Sequence, residues 1–420
     1  MKRMLLAGLI MVGALALGAS PALAKELRVD DDKAQCPNAQ YTTIQSAVDA
    51  AGQNDTVKVC PGTYSEQVRI QTHAKDGLKL VSLVPQKAII EAPPVMTFPK
   101  TIVLIKDADR VEIEAFTIRG PYVEPGCGTP IPNTPDPANP VIDAHKGVYV
   151  MNGFKERIEH NHILDIRNAN PALFGCQEGL AVQIGRQGEN TTGSARVTHN
   201  LIADYQKGGV IVDNAGSYGQ VDHNVIRAAA AVQPNIAPNG VQISRGAGAD
   251  VDHNKVSANK FLGNRDAGSG SGILLFRPGA GKVEVDHNNT FDNDDGLPLI
   301  DADREQIEHN YSHDNVFFDG LYADEDSMRN LFKGNVALRN KEHDCHDDSI
   351  GDGTAGTANT WKDDVGVTQQ PMGICKPPKG KHRRHGHDKG EHEKSATDDS
   401  SSEGGKLPDL PGLPGLPQLP

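Results

Sequence analysis

A glycine recurs through the middle of the chain at intervals that mark a repeat. The spacings between successive members are 32, 30, 31, 32, 24 and 24 residues. Periods of roughly 20 to 50 residues are typical of solenoids, in which each unit buries its apolar face only by stacking on the next. The repeat therefore predicts a rod of stacked units. The repeat glycines are Gly147, Gly179, Gly209, Gly240, Gly272, Gly296 and Gly320.

Each repeat glycine is followed by two apolar residues one position apart, such as Val210 and Val212 after Gly209. This period-two alternation predicts a short strand with one buried face. Helical repeats need apolar residues at spacings of three and four, and these segments are too short and too often interrupted by glycine and asparagine. Like strands are therefore expected to stack in parallel, about 4.8 Å apart.

An asparagine follows each repeat glycine by 14 to 21 residues, often in an apolar-x-His-Asn pattern such as residues 221–226. Asparagine tolerates a left-handed backbone and hydrogen-bonds neighbouring main chain, so it is expected at a sharp bend. Stacked units would align the amides in a ladder. The bend asparagines are Asn161, Asn200, Asn224, Asn254, Asn288, Asn310 and Asn335.

Together these features resemble the right-handed parallel β-helix, or pectin-lyase-like, family over roughly residues 27–375. The resemblance implies an all-β solenoid, and it says little about activity because the fold hosts many functions. Residues 41–51 place Ile44, Ala47 and Val48 on one helical face, with Thr42 or Thr43 as the N-cap. This amphipathic helix is expected to cap the first coil.

The two ends of the chain predict secretion and a tail. Residues 1–24 have the basic start, apolar run and small-residue end of a signal peptide. The β-helix domain is expected at 25–375, and 376–420, first basic and His-rich and then Pro-rich, is expected to be a disordered tail. Six cysteines fit an oxidising compartment. Proximity along a stacked fold favours the pairs Cys36 with Cys60, Cys127 with Cys176, and Cys345 with Cys375.

Composition restricts the partners. The formal net charge of −13 argues against nucleic acid, and no segment of the mature chain is long and apolar enough to span a membrane. The expected partner is an extracellular polysaccharide or a cell-envelope polymer, bound by a monomer.

Function must come from residues that point outward on the stacked strands. If the first and third residues after each glycine face inward, the second and fourth face solvent and the fifth ends the strand. This places Arg245 and Arg277 on consecutive coils. The predicted catalytic set is Arg245, Arg277, Asp213, Asp301 and Asp324, and the predicted binding set is Tyr149, Gln183, Gln242, Phe276 and Tyr322.

The family resemblance implies roles for these residues, because polysaccharide lyases and related enzymes use the groove over this sheet. An arginine would act as base or carboxylate clamp, and the aspartates as acid, nucleophile or calcium ligands. Calcium is therefore the candidate cofactor. The alternative interpretation is that the arginines and aspartates form pairwise surface salt bridges. The sequence matches no catalytic signature of the family.

Histidine clusters raise the question of a metal site. Each of six bend asparagines is directly preceded by a histidine, and residues 342–348 hold two histidines, one cysteine and four acids. A ladder of imidazoles is more typical of a structural column than of zinc, whose ligands converge from different directions. The predicted site residues therefore include no metal ligand. The histidines are His160, His199, His223, His253, His287 and His309.

The sequence as a whole predicts a secreted β-helix that binds a polysaccharide, with a uronate-bearing polymer as the main candidate. If it is an enzyme, it is a polysaccharide lyase, a glycoside hydrolase or an epimerase. One alternative is a non-catalytic protein of the cell envelope or matrix. A second alternative is a periplasmic metal-handling β-helix.

Overall fold

The described part of the chain forms three long parallel sheets built from 33 strands, numbered β1 to β33 along the sequence. The computed structural model describes residues 24–126, 143–229, 236–265 and 268–379. From β2 to β31 the chain visits sheet A, sheet B and sheet C in turn and then begins the next coil, while the last coil passes from β32 in sheet A to β33 in sheet C. Every pairing within the three sheets joins a strand to its counterpart one coil away, as a parallel β-helix requires.

The strands belong to the sheets as follows. Sheet A contains β1 (Glu26–Val29), β2 (Thr56–Val59), β5 (Lys79–Ser82), β8 (Glu112–Glu114), β11 (Glu156–Glu159), β14 (Ser194–Thr198), β17 (Tyr218–Asp222), β20 (Gly248–Asp252), β23 (Val283–Asp286), β26 (Gln306–Glu308), β29 (Leu331–Lys333) and β32 (Thr360–Lys362). Sheet B contains β3 (Gly62–Ser65), β6 (Ala88–Glu91), β9 (Thr117–Arg119), β12 (His162–Leu164), β15 (Leu201–Ala203), β18 (Val225–Arg227), β21 (Lys255–Ser257), β24 (Asn289–Phe291), β27 (Tyr311–His313) and β30 (Val336–Leu338). Sheet C contains β4 (Val68–Gln71), β7 (Thr101–Lys106), β10 (Lys146–Met151), β13 (Leu180–Ile184), β16 (Gly208–Asp213), β19 (Asn239–Ser244), β22 (Ser271–Phe276), β25 (Leu297–Ile300), β28 (Leu321–Ala323), β31 (Cys345–Asp347) and β33 (Gln369–Gln370).

The predicted capping helix is confirmed as α1 (Ile44–Ala50), with the Thr43 side chain accepting a hydrogen bond from the backbone of Ser46. Its Ile44, Ala47 and Val48 join the apolar core of the first coils. Short 3₁₀ turns occur at His73–Lys75, Pro171–Leu173, Gln187–Glu189 and Thr354–Gly356.

Inward alternation on sheet C is confirmed by the strand register. Val182, Val210, Val241 and Ile273 lie opposite one another on successive strands, and each is fully buried. The repeat at Gly179 is out of phase, however. Val182 pairs with Val148, so Ala181 and not Gly179 occupies the position equivalent to Gly147.

Close packing between coils explains the repeat glycines. A Cβ atom at Gly240 would lie 2.6 Å from the carbonyl oxygen of Gly272 on the next coil and 2.1 Å from a methyl group of Val256. A Cβ atom at Gly272 would lie 2.6 Å from the carbonyl oxygen of Gly296, and one at Gly296 would lie 2.4 Å from that of Gly320, in each case on the following coil. Any side chain at these positions would push the coils apart, so the repeat marks where the coils touch.

The predicted asparagine ladder is confirmed. The backbone N–H of Asn224 donates to the side-chain oxygen of Asn254 at 3.0 Å, and Asn200 makes the same bond to Asn224 at 2.9 Å. The expectation of a left-handed asparagine is wrong. The positive φ belongs to the preceding histidine, for example +56° at His223, which turns the chain so that the asparagine points inward.

A second ladder between sheets B and C was not predicted. Asn259, Asn293, Asn315 and Asn340 bond in file, with backbone N–H to side-chain oxygen distances of 3.1 to 3.2 Å. These residues carry no histidine before them and so fall outside the sequence pattern. Both ladders satisfy backbone groups that would otherwise be buried without partners.

Disulfides close both ends of the described solenoid, where Cys36 pairs with Cys60 and Cys345 with Cys375 as predicted. Cys127 lies outside the described residues, so its pairing with Cys176 stays a prediction. The predicted signal peptide, apart from Ala24, and the predicted tail, apart from residues 376–379, also fall outside them and stay predictions. Within the described residues, no helix has the length and apolar character needed to cross a bilayer.

We expect Glu156→Gln to raise the free energy of unfolding at pH 7 by about 1 to 2 kcal/mol. Burial raises the pKa of this carboxyl from 4.5 to about 9, although Oε2 accepts a 2.5 Å hydrogen bond from the backbone of Val111. The unfolded carboxyl ionises near pH 4.5 while the folded one stays protonated, so stability falls as pH rises between the two values. Glutamine does not ionise and so removes this loss, but the cost of burying its amide offsets part of the gain.

Chemical denaturation at pH 5 and pH 7 measures the change, and the gain should be larger at pH 7. Glu112→Gln is the matched control. Burial opposes ionisation of Glu112, but its 2.9 Å ion pair with Lys79 outweighs this and lowers the pKa of Glu112. Its replacement should therefore lower stability, and equal effects of the two variants would contradict the prediction.

Candidate functional site

A groove on the outward face of sheet C contains a cavity of about 820 Å³. Its floor is formed by outward side chains of four consecutive strands, β22, β25, β28 and β31. Its wall is formed by the connections that enter sheet C from sheet B. The lining residues are Gln177, Lys207, Ile236, Ala237, Asn239, Phe261, Arg265, Gly268, Ser269, Ser271, Leu274, Phe276, Asp295, Pro298, Ile300, Phe318, Asp319, Tyr322, Glu342 and His346.

Part of the polar lining is one file of residues, each immediately before a repeat glycine. Asn239 pairs with Ser271, and Ser271 bridges to Asp295. Asp319 follows on the next coil, since Leu297 pairs with Leu321. The glycine itself packs against the core, so the residue before it is turned outward. We call Asn239, Ser271, Asp295 and Asp319 the pre-glycine file. The outward positions used in the sequence prediction did not include it.

Aromatic side chains concentrate in this cavity. Phe261, Phe276, Phe318 and Tyr322 all line it, and each is partly exposed to solvent. The whole chain holds only 19 Phe, Tyr and Trp residues. Four of them at one cavity give it apolar faces beside its polar groups, a combination typical of ligand pockets.

Lys207 lies at the centre of the groove. A second cavity of about 330 Å³ continues along sheet C toward Gln183 and Arg186 and shares Lys207, Asn239 and Phe276 with the first. The Lys207 Nζ donates to the carbonyl oxygen of Ala237 at 2.7 Å. Within the described chain, no carboxylate forms an ion pair with it. Burial, and to a lesser extent the charge of Arg245, lowers the pKa of Lys207 to about 8.

Acidic groups and imidazoles meet at the opposite end of the cavity. Both oxygens of Asp319 are engaged, Oδ1 with His343 Nδ1 at 3.1 Å and Oδ2 with His346 Nδ1 at 2.8 Å. Burial, reinforced by the charge of Asp319, raises the pKa of Asp295 to about 7. Burial opposes protonation of His346, but its bonds to Asp319 and Asp348 outweigh this and raise the pKa of His346.

The predicted catalytic residues form separate pairs and do not share one site. Arg245 Nε donates to Asp213 Oδ1 at 2.7 Å on the preceding coil, while Arg277 Nε donates to Asp301 Oδ2 at 3.0 Å on the following coil. The two arginines thus turn in opposite directions. Asp324 accepts from the backbone of Asp301 at 3.1 Å and lies outside both cavities. Of the five predicted catalytic residues, Arg245 and Asp213 line the groove and the other three do not.

The predicted binding residues divide into buried and groove-lining groups. Tyr149 faces outward in the sheet but is fully buried, and its hydroxyl contacts Glu189 at 3.1 Å and Thr191 at 2.7 Å. The chain segment after β13 thus covers this end of the column, so solvent exposure of Tyr149 was predicted wrongly. Gln242, Phe276 and Tyr322 line the groove with partly exposed side chains. Gln183 borders it but is only 1% exposed, and its amide donates to the carbonyl oxygen of Gly185.

The six bend histidines form a continuous stack, with neighbouring ring centroids 4.9 to 5.2 Å apart. Several of these rings contact a carboxylate next to them, for example His253 Nδ1 and Asp252 Oδ2 at 2.9 Å. The stack lies at the bend between sheets A and B and does not line the groove.

The sheets and a sequence match together define the class of protein. Residues 181–364 match the family described as "Right handed beta helix region". With three stacked parallel sheets running through the described chain, the protein is a right-handed parallel β-helix. No curated protein sequence matches the chain.

Two solved structures are similar to this chain, and the first shows the same fold. The lacto-N-biosidase from Eubacterium ramulus is 12% identical, with 82% of this chain and 67% of that chain covered and a TM-score of 0.50. The alginate lyase from Paenibacillus sp. is 11% identical, with 83% and 96% covered and a TM-score of 0.48. At such identities the likeness extends to the fold alone.

Proposed function

We propose that the groove on sheet C binds a secreted or envelope polysaccharide that carries carboxylate groups, such as a uronate polymer. The observation that carries this proposal is the cavity lined by four aromatic side chains and by Lys207, which has no carboxylate partner among the described residues. Both disulfides fit an oxidising compartment, where such polymers occur.

Sugar rings present apolar C–H faces and a rim of hydroxyls. Phe276 and Tyr322 supply flat apolar surfaces on the cavity floor, and the pre-glycine file supplies side chains that accept or donate hydrogen bonds. Because the stacked coils repeat this arrangement at intervals of about 4.8 Å, the groove suits an extended chain better than a compact ligand.

Charge selects the kind of polysaccharide. Lys207 lies where the two cavities meet, and its ammonium group can form a charge-assisted hydrogen bond with a uronate carboxylate. Arg245 is already held by Asp213 at 2.7 Å, so its role is to position that end of the groove. The proposed glycan-contacting residues are Lys207, Gln242, Phe276 and Tyr322, while the buried Gln183 supports the floor of the groove.

Titration calorimetry with polygalacturonate and with a neutral glucan tests the proposal. We expect the wild-type chain to prefer the uronate polymer, and Phe276→Ala and Tyr322→Ala each to weaken binding by about tenfold, since a stacked aromatic ring is worth about 1 to 2 kcal/mol. Phe154→Ala is the matched control, because Phe154 is an exposed aromatic residue that lines neither cavity.

Equal binding of both polymers, or equal weakening by the Phe154 change, would overturn the assignment. Absorbance of unsaturated uronate product, followed in the same samples, separates binding from lyase chemistry. A rise in absorbance would identify the groove as an active site of the lyase type, and a flat trace with intact binding would identify a binding protein.

A further inference from the structure

Two imidazoles and a carboxylate converge beside the cavity, and two of them, Asp319 and His346, line it. The Asp319 carboxylate is 4% exposed and directs Oδ1 to His343 Nδ1 at 3.1 Å and Oδ2 to His346 Nδ1 at 2.8 Å. The two rings are tilted by 57° with centroids 4.6 Å apart, so their nitrogens approach the carboxylate from different directions. Asp319 comes from one coil and the histidines from the next, so the cluster exists only in the folded solenoid.

The hydrogen bonding of His346 calls for positive charge, either as a second proton on the ring or as a metal ion beside it. Its Nε2 contacts Asp348 Oδ1 at 3.0 Å, and the Tyr322 hydroxyl donates to Asp348 Oδ2 at 3.1 Å. If Nε2 donates its hydrogen to Asp348, the lone pair of a neutral ring points from Nδ1 at the Asp319 carboxylate. Two acceptors at 2.8 Å repel each other unless a proton or a metal ion lies between them.

Further carboxyl groups lie near the cluster. Asp295 Oδ1 accepts from the backbone N–H of Asp319 at 3.2 Å, and Glu342 lines the same cavity. Asp319 and Asp348 contact His346 directly, so the cluster lies in acidic surroundings.

The spacing of the donor atoms fits metal coordination. Bonds of about 2.0 to 2.2 Å to imidazole nitrogen and carboxylate oxygen place neighbouring ligands roughly 2.8 to 3.6 Å apart in octahedral or tetrahedral geometry. The observed nitrogen–oxygen distances of 2.8 and 3.1 Å fall in that range. The contact of His346 with Asp348 is the outer hydrogen bond that commonly orients a metal-bound histidine.

We propose that Asp319, His343 and His346 bind a first-row divalent transition metal ion such as Zn²⁺, with the remaining coordination positions open to the cavity. Imidazole donors select such ions over calcium, which takes oxygen ligands. This site is distinct from the predicted calcium-binding aspartates, and its existence does not depend on whether the groove binds a glycan.

The histidine stack provides a matched comparison. Asp286 contacts His287 at 2.7 Å and His309 at 3.3 Å, which are the same donor types at similar distances. These three side chains are 39 to 44% exposed. Water therefore competes for them, and they lie outside the cavity with its surrounding carboxylates. The stack should bind metal weakly.

The test is calorimetric titration of Zn²⁺ into metal-stripped full-length protein, with bound zinc counted after dialysis. All samples carry His→Gln changes at His382, His385, His387 and His392, which removes binding by the His-rich tail. We expect one zinc per chain, a raised melting temperature on binding, and no binding of Ca²⁺ at this site. His346→Gln should weaken zinc binding at least about 100-fold, and Asp348→Asn about 10- to 100-fold.

His309→Gln should retain full zinc binding. The proposal is overturned if His346→Gln and His309→Gln bind zinc equally, or if neither they nor the parent chain retain zinc. Circular dichroism of each variant confirms that the solenoid is intact. Because Asp348→Asn leaves all three ligands in place, its graded loss supports the site even if the His346 variant folds poorly.

Discussion

Asn224→Ala is expected to lower the free energy of unfolding by about 4 kcal/mol, because it leaves several buried polar groups without partners. The Asn224 side-chain nitrogen donates to the carbonyl oxygens of Val197 at 2.8 Å and Asp222 at 3.0 Å, while its oxygen accepts from the backbone of Asn200 at 2.9 Å. Asn224 is 1% exposed, so water cannot replace these bonds. The shift of the urea midpoint measures the loss.

Gln220→Ala is the matched control on the same coil. Gln220 lies on β17 with its side chain exposed, so its removal should change stability by less than about 0.5 kcal/mol. If Asn224→Ala costs no more than this control, the ladder does not hold the coils together. Loss of the ladder loosens two neighbouring coils, so limited proteolysis near the bend should cleave the Asn224→Ala variant faster than the Gln220→Ala variant.

The core of this fold was predictable because its pattern is local. Val210 and Val212 alternate within one strand, and each later repeat does the same, so the inward face can be identified without knowing the neighbours. The bend asparagine was predictable for the same reason. Its conformation was not, because the left-handed position moves to His223 when Asn224 turns inward to bond Asn254.

Outward positions were harder to predict, because the neighbouring coils decide where each side chain points. The sequence placed Arg245 and Arg277 side by side, but each found a carboxylate on the opposite side, Asp213 and Asp301. The burial of Tyr149 depends on Glu189 and Thr191, which reach it only after the chain folds back.

The pre-glycine file did leave a trace in the sequence. Asp295 and Asp319 each stand directly before a repeat glycine in consecutive repeats, and Asn239 and Ser271 occupy the same position in the two repeats before them. Aspartate followed by glycine is typical of turns, so each Asp-Gly pair taken alone indicates a turn and not a site. A column of polar residues at one repeat position would have indicated a site.

Raising the pH from 7 to 9 should weaken binding of a uronate polymer by about tenfold, provided that the proposed function is correct. Burial lowers the pKa of Lys207 to about 8, so its amine is mostly charged at pH 7 and mostly neutral at pH 9. The fraction of charged amine falls by about a factor of ten over this interval. A glycan carboxylate stays ionised throughout and loses its cationic partner.

Lys207→Arg separates this cause from a general effect of pH. A guanidinium stays charged to pH 9, so the affinity of this variant should be nearly constant, although its planar group meets the carboxylate with different geometry. Lys207→Ala removes a charge-assisted hydrogen bond, so its affinity for the polymer should be about 10- to 100-fold lower than that of wild type at pH 7. The affinity of this variant should be similarly low at pH 9. A wild-type affinity that is the same at pH 7 and pH 9, or that falls equally in the Lys207→Arg variant, would show that the lysine does not contact the ligand.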